Sequence, residues 1–329
     1  MKNVRFLTEA DIESLLTMDD ALDAVQGALQ DVELGNGSNA QRRRTVTGPT
    51  RLNLLGGAVL DNDGQVMIGA KAYVTGSGSA KFWGMLFDQA GVLLCLYEAD
   101  RLGQLRTGAA SGISASTMAA TESRKLAMIG SGYQAATQIE GIVRGAGLQE
   151  VAIFGRTHVK AVALAKTLSE KLGINIYAVE TLEGALVDAD IVATMTNSQQ
   201  PVIDADSLRP GVHYIFAGSN NPDNAEASPE LLGSIDTVVT DDLAQAQAEG
   251  GTLLRAVAAG KLDWDNVGTL GGALIENEPD RNHISTTAFV SHGAGSWDTA
   301  LATKLYHKAV AVGVGMMTEI NGEPVEGRR

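Results

Sequence analysis

Residues 125–157 constrain the fold more than any other stretch. They read KLAMIGSGYQAATQIEGIVRGAGLQEVAIFGRT. An apolar run at 126–129 stops at Gly130-Ser131-Gly132, and a helix-like segment runs from Tyr133 to about Arg144. A second apolar run, 151–154, ends at Gly155-Arg156-Thr157. Strand, tight turn, helix and strand form the unit that holds a dinucleotide. Gly130 lets the chain turn sharply off the strand. Gly132 has no side chain, so backbone can approach a pyrophosphate. Ala135 keeps the helix close to the sheet, and the helix N-terminus offers free N–H groups and partial positive charge to phosphates. An ordinary turn of small residues is the competing reading; the flanking strands and helix weigh against it.

The end of the second strand bears on which dinucleotide. NAD sites usually place a carboxylate there to bind the ribose 2′-hydroxyl. This corner has Arg156 and Thr157, with Lys160 one turn on, and no acid. A guanidinium can bind a 2′-phosphate bidentately and stack on adenine. The expectation is therefore NADP(H) in preference to NAD(H), with a solvated loop cation as the alternative for Arg156. Candidate cofactor contacts are Thr107, Gly130, Ser131, Gly132, Tyr133, Gln134, Arg156, Thr157, Lys160, Thr194, Thr196, Gly218 and Ser219.

The chain has 329 residues, enough for two domains. Its formal net charge of −14 argues against nucleic acid or an anionic membrane as partner. Anionic ligands then need local Arg and Lys clusters. The single cysteine, Cys95, lies in an apolar run and reads as a buried small hydrophobe. The N-terminus lacks the apolar core of a leader, and no apolar run approaches membrane-spanning length, so a cytoplasmic location is expected. No metal site is expected.

Thr8 with Asp11, and Thr17 with Asp20, mark two helix starts near the N-terminus. A strand-rich region follows, with a hairpin predicted over 81–87 and 91–97. Its short strands and Gly-rich turns suggest a separate antiparallel sheet. Residues 105–120 are helix-like and rich in Ala, Ser and Gly, so another backbone could pack closely; Arg106 is placed at the start of this helix. From Arg124 the pattern alternates. Strands at 126–129, 151–154, 174–179, 191–195, 213–217 and 237–240, with helices between, imply a doubly wound parallel sheet. A helix is predicted over 243–259, a mixed stretch over 268–291, a last helix over 296–314 and a polar tail beyond. The fold class is α/β.

Three cations stand out beside apolar runs: Arg44, Lys71 and Arg106. An unpaired cation there is costly. They could converge on a substrate carboxylate, or each could be an ordinary ion pair. Arg42 and Arg43 read as solvated neighbours of Arg44. The loop 217–226, AGSNNPDNAE, leaves a strand's C-terminal end, where ligands bind in such sheets; Asn220 and Asn221 face that edge or a plain turn.

The chain resembles the ornithine cyclodeaminase and mu-crystallin family. The resemblance rests on RTV at 44–46, the Lys71 strand, LRTGAAS at 105–111, MIGSGYQA, IFGRT, GVHYIFAGSNNP, EGGTLL, STTAFVSHG and the WDTALATKLY helix, in order along nearly the whole chain. It implies a Rossmann domain over 121–295. It also implies a second α+β domain, for substrate and dimerisation, from residues 1–120 and 296–329. Two subunits would form a homodimer around a shared barrel-like core. It further implies that Arg44, Lys71 and Arg106 match substrate-site positions. Asn220 stands where ornithine cyclodeaminases carry an Asp thought to act on the substrate amine, and it cannot serve as a base. Asn53 stands near an acidic position of those enzymes. His292 stands where Leu is common in mu-crystallin-like members; it is a candidate proton relay or a packing residue.

The reading that follows is an NADPH-dependent reductase of a small imino acid, cyclic or formed from a 2-oxo acid and an amine. Lys71, Asn220 and His292 are the catalytic candidates. Arg44, Asn53, Lys71 and Arg106 are the substrate-binding candidates. Ornithine cyclodeaminase, an NAD-dependent ammonia lyase giving proline, and a non-enzymatic NADPH-dependent binding protein are the alternatives.

Overall fold

A computed structural model describes residues 2–76, 78, 80–276 and 285–320. The first part of the chain supplies β1 (Lys2–Leu7), β2 (Ser38–Thr47), β3 (Thr50–Leu60), β4 (Val66–Thr75), β5 (Lys81–Asp88) and β6 (Leu93–Glu98). The middle supplies β7 (Lys125–Ile129), β8 (Glu150–Phe154), β9 (Asn175–Val179), β10 (Ile191–Thr194), β11 (His213–Phe216), β12 (Thr237–Thr240), β13 (Val267–Thr269) and β14 (Thr287–Val290). The last strand is β15 (Met316–Ile320).

They form two sheets. One is mixed, in the order β15-β1-β6-β5-β4-β3-β2. The other is parallel, in the order β13-β12-β14-β11-β10-β7-β8-β9. Strand order reverses between β7 and β10, which opens a crevice at their C-terminal ends. The architecture is α/β, a Rossmann-like parallel sheet beside a second unit of mixed sheet and helices drawn from both termini.

Both predicted N-terminal capping boxes form. The Thr8 and Thr17 hydroxyls accept from the backbone N–H groups of Asp11 and Asp20, whose carboxylates return the bond. The inner face of the mixed sheet carries the Gly295–Val312 helix. The Asp100–Met118 helix sits against the Ala135–Ala146 helix of the parallel unit. These two meet backbone to backbone. A Cβ on Gly108 would lie 2.1 Å from the Thr137 carbonyl oxygen, and one on Gly141 would lie 2.0 Å from that of Gly108. The small residues of 105–120 allow this approach. One buried apolar cluster runs through both units, from Leu7 and Leu86 through Leu105 to Ile153 and Phe289. Cys95 is buried in it, and burial pushes its thiol up to about 12.

Several expectations shift. The parallel sheet has eight strands, not six; β13 and β14 are only three and four residues long and show too little periodicity to read. The helix over 243–259 is two helices, Leu243–Glu249 and Gly251–Ala258, broken where Gly250 leaves helical geometry (φ −79°, ψ 74°). The predicted 105–120 helix begins at Asp100, so Arg106 is in its second turn. The tail is polar but its first residues pair: β15 runs antiparallel to β1, and residues 321–329 lie outside the described residues. No helix among the described residues is long and apolar enough to cross a membrane.

Candidate active site

Two cavities meet between the units. The first, about 700 Å³, is lined by Gly130, Ser131, Gly132, Tyr133 and Gln134, by Phe154 to Thr157 with Lys160, and by Met195 to Gln199. It lies over the reversal point of the parallel sheet. Gly130 has φ 118°, and a Cβ there would sit 2.5 Å from the Met195 carbonyl oxygen; only glycine fits this turn. A Cβ on Gly132 meets nothing within 4 Å, so the space above it is open. An open glycine turn leading into a 12-residue helix suits a pyrophosphate. The predicted contacts Gly130, Ser131, Gly132, Tyr133, Gln134, Arg156, Thr157, Lys160, Thr196 and Gly218 all line this cleft. Thr194 does not; it is buried within β10. Thr107 and Ser219 line the second cavity instead.

The second cavity, about 770 Å³, shares Gln134, Asn197 and Gly218 with the first. Arg44, Asn53, Lys71, Arg106, Asn220 and His292 all line it. Glu226, 2% exposed, ties the seam between the cavities. It accepts from the backbone N–H of Thr196 (2.7 Å) and Gly218 (2.8 Å) and from the Thr196 hydroxyl (2.9 Å). Burial raises its pKa against these donors.

Two buried acids organise the cations. Asp298, in the first turn of the Gly295–Val312 helix, accepts from Lys71 Nζ at 2.6 Å and from Arg106 Nε at 3.3 Å. Burial works to raise its pKa, but the Arg106 and Lys71 charges outweigh this and leave it lowered. Burial drives Lys71 down from 10.5 to about 8, against Asp298 and with the help of Arg106. The Arg106 guanidinium lies 5.8 Å from the Trp297 ring centroid. Glu249 closes its helix and pairs with both Arg42 and Arg44. Arg44 also donates to the Asn53 side chain (3.1 Å) and the Asn220 carbonyl (2.9 Å). Arg42 is therefore not a solvated neighbour: it is 8% exposed, and its Nη2 donates to the His292 carbonyl at 3.0 Å. Strand alternation places it on the face of Arg44, with Arg43 outside.

His292 is buried beside Asp241, its Nδ1 3.5 Å from Asp241 Oδ1. Asp241 Oδ2 accepts from the N–H groups of His292 and Gly293. Burial opposes its ionisation, yet the bonds from His292 hold its pKa down at about 2. Among the described residues no group of three or more His, Cys, Asp or Glu is placed to hold a metal. Sequence reasoning missed Glu249, Asp298, Glu226 and Asp241. The first two sit inside EGGTLL and WDTALATKLY, where an acid next to small or apolar residues was the available signal.

The sequence model of the ornithine cyclodeaminase/mu-crystallin family matches residues 2–313. The chain belongs to this family. A delta(1)-pyrroline-2-carboxylate reductase of Bacillus cereus is 32% identical over 238 residues, 71% of this chain and 73% of that protein. An archaeal alanine dehydrogenase, solved as a dimer with bound NAD, superposes with a TM-score of 0.89 at 27% identity, covering 97% of this chain and 99% of that one. The iminosuccinate reductase of Paracoccus denitrificans, solved with NAD⁺, gives 0.88 at 25% identity, covering 97% and 100%. The chain is thus an oxidoreductase linked to a nicotinamide dinucleotide and acting on a carbon–nitrogen bond. The expected NADP(H) preference is overturned, because these structures hold NAD. The physical reason lies at the corner: Arg156, Thr157 and Lys160 are exposed, and a guanidinium can lie on adenine with no 2′-phosphate present.

Proposed function

We propose that the protein is an NAD(H)-dependent reductase of small 2-imino acids that works in reverse as an amino-acid dehydrogenase. One observation carries the reading: a cavity lined by cations, with no carboxylate among the described residues of its walls, opens into the dinucleotide cleft at Gln134, Asn197 and Gly218. When bound, the dinucleotide supplies a hydride to the imine carbon or takes one from the carbon that bears the amine. Arg106 and Arg44 hold the substrate carboxylate. The nitrogen must gain a proton, and Lys71, fixed by Asp298, is the donor with a pKa near working pH. Asn220 orients the substrate, and His292 is a second titratable group at the cavity wall.

The test is an NADH-oxidation screen with 2-oxo acids plus ammonia or methylamine, beside cyclic imino acids. Lys71→Ala should cut kcat by roughly 100-fold or more, while NADH binding followed by fluorescence is retained. A near-normal rate removes Lys71 from the mechanism.

A cyclodeaminase reading has one point in its favour: that chemistry uses NAD, the nucleotide held by the solved relatives. Against it, Asn53 and Asn220 leave no acid for a substrate ammonium. Ornithine converted to proline and ammonia without net change in NADH would establish it.

The assembly proposed is a homodimer, and the division proposed is 1–120 with 296–329 against 121–295. Leu54, Ile68, Val74 and Trp83 project from the sheet face opposite Lys71, each 39–46% exposed. Such a patch marks an interface. A monomer in sedimentation velocity at micromolar concentration would refute the dimer.

A further inference from the structure

The cations of the cavity outnumber the acids that pair with them. Among the described residues its walls carry Arg42, Arg44, Arg51, Lys71 and Arg106, and no Asp or Glu. Two acids stand behind them, Glu249 and Asp298. Two more buried acids accept from backbone N–H groups of the wall, Asp241 from His292 and Gly293 and Glu226 from Gly218. Five cations less four acids leave one formal positive charge, in a chain whose net charge is −14.

Sheet register spaces the cations as rungs. Arg51 lies opposite Thr75, Asn53 lies between Arg44 and Tyr73, and Leu55 lies opposite Lys71. These positions alternate onto one face, so successive rungs are about 7 Å apart. Arg51 is exposed at the mouth, Arg44 is half-buried, and Lys71 is buried at the floor, where Asp298 joins it to Arg106. Among the described residues Arg51 makes no ion pair, although it lines the cavity.

We infer that the substrate is a dianion: an imine, or the matching amine, with two carboxylates. One is held at Arg106 on the floor, the other between Arg44 and Arg51 towards the mouth, so that Arg44 takes the second carboxylate instead of sharing the first. This rests on the imino-acid reading above and narrows it. A monocarboxylic amino acid would leave Arg51 unmatched. A diamino acid would add a cation to a cavity with no acid in its walls. Two sources share the required chemistry. A 2-oxo dicarboxylic acid with ammonia gives a primary imine, and a 2-oxo monocarboxylic acid with an amino acid gives a secondary one.

The experiment compares kcat/KM, with NADH, for oxaloacetate plus ammonium, pyruvate plus glycine, and pyruvate plus ammonium. At least one of the first two should exceed the third by about tenfold or more, the effect of a hydrogen bond between charged groups; which one leads identifies the source. In Arg51→Gln the ratio should fall about tenfold, mainly through KM of the dicarboxylic substrate. A wild-type preference for pyruvate plus ammonium, or an unchanged ratio in the variant, overturns the inference. If none of the three mixtures turns over, nor any other imine, the reductase reading itself falls. Calorimetry then decides separately: succinate should bind the protein with NADH about tenfold tighter than propionate, and equal affinities refute the dianion site.

Discussion

The dinucleotide cleft and the cation-lined cavity meet at Gly218 but are built in opposite ways. Most of the cleft comes from one short stretch, Gly130 to Lys160, and its selectivity lies in backbone shape. The cavity draws on β2, β3, β4, β5, the Asp100–Met118 helix and loops of the parallel unit at Gln134, Asn197, 217–224 and 291–293, and its properties lie in charge. One can be damaged by a methyl group, the other by removing a carboxylate that never touches a ligand. The two should therefore fail differently.

The largest effect should come from the buried acid. Asp298→Ala leaves Lys71 and Arg106 uncompensated and should cost about 3–5 kcal/mol of stability in urea unfolding. A loss below 1 kcal/mol would mean that solvent already screens the pair. In the cleft, Gly130→Ala forces a Cβ against the Met195 carbonyl at φ 118°. It should cost about 2 kcal/mol, read as NADH affinity weakened roughly 30-fold with the cavity's charges untouched. Unaltered affinity would show that the turn tolerates the atom.

The pH profile separates the two regions next. Lys71 must be protonated to donate, and its folded pKa is lowered to about 8. Reductive kcat/KM should hold below pH 8 and fall about tenfold per unit above it, about 1.4 kcal/mol per decade, while NADH affinity stays flat. Lys71→Arg, a cation that does not titrate in this range, should abolish that fall. The smallest effect belongs to Arg156→Ala, an exposed residue: NADH affinity should change by less than about 1 kcal/mol. A larger loss would reveal a guanidinium that grips the cofactor.

The same contrast explains what could be read from sequence. The Lys125–Ile129 strand and its glycine turn are contiguous, so local periodicity and residue size were enough to place them. Arg44, Lys71 and Arg106 were recognisable because cations beside apolar runs demand partners. Their partners were not: Asp298 and Glu249 lie 192 or more residues from the cations in sequence, apart in a way only tertiary structure resolves. Arg42 was misjudged because three consecutive arginines look equally solvated until the strand's faces are assigned. The two short strands β13 and β14 were lost to length. The nucleotide was misjudged because Arg156 was weighed for what it could bind, and a residue on an exposed corner has several uses.

The glycine seam between the Asp100–Met118 and Ala135–Ala146 helices also has a mechanical consequence. Shear between packed helices is a small sliding of one along the other. At Gly108 and Gly141 nothing intervenes between the two main chains, so the joint has no slack to give. Arg106 rides on one helix, and the phosphate-binding turn leads into the other. The two halves of the reaction centre therefore meet across a joint of main chain alone, and a side chain added at Gly108 or Gly141 would push the substrate arginine away from the phosphate-binding turn.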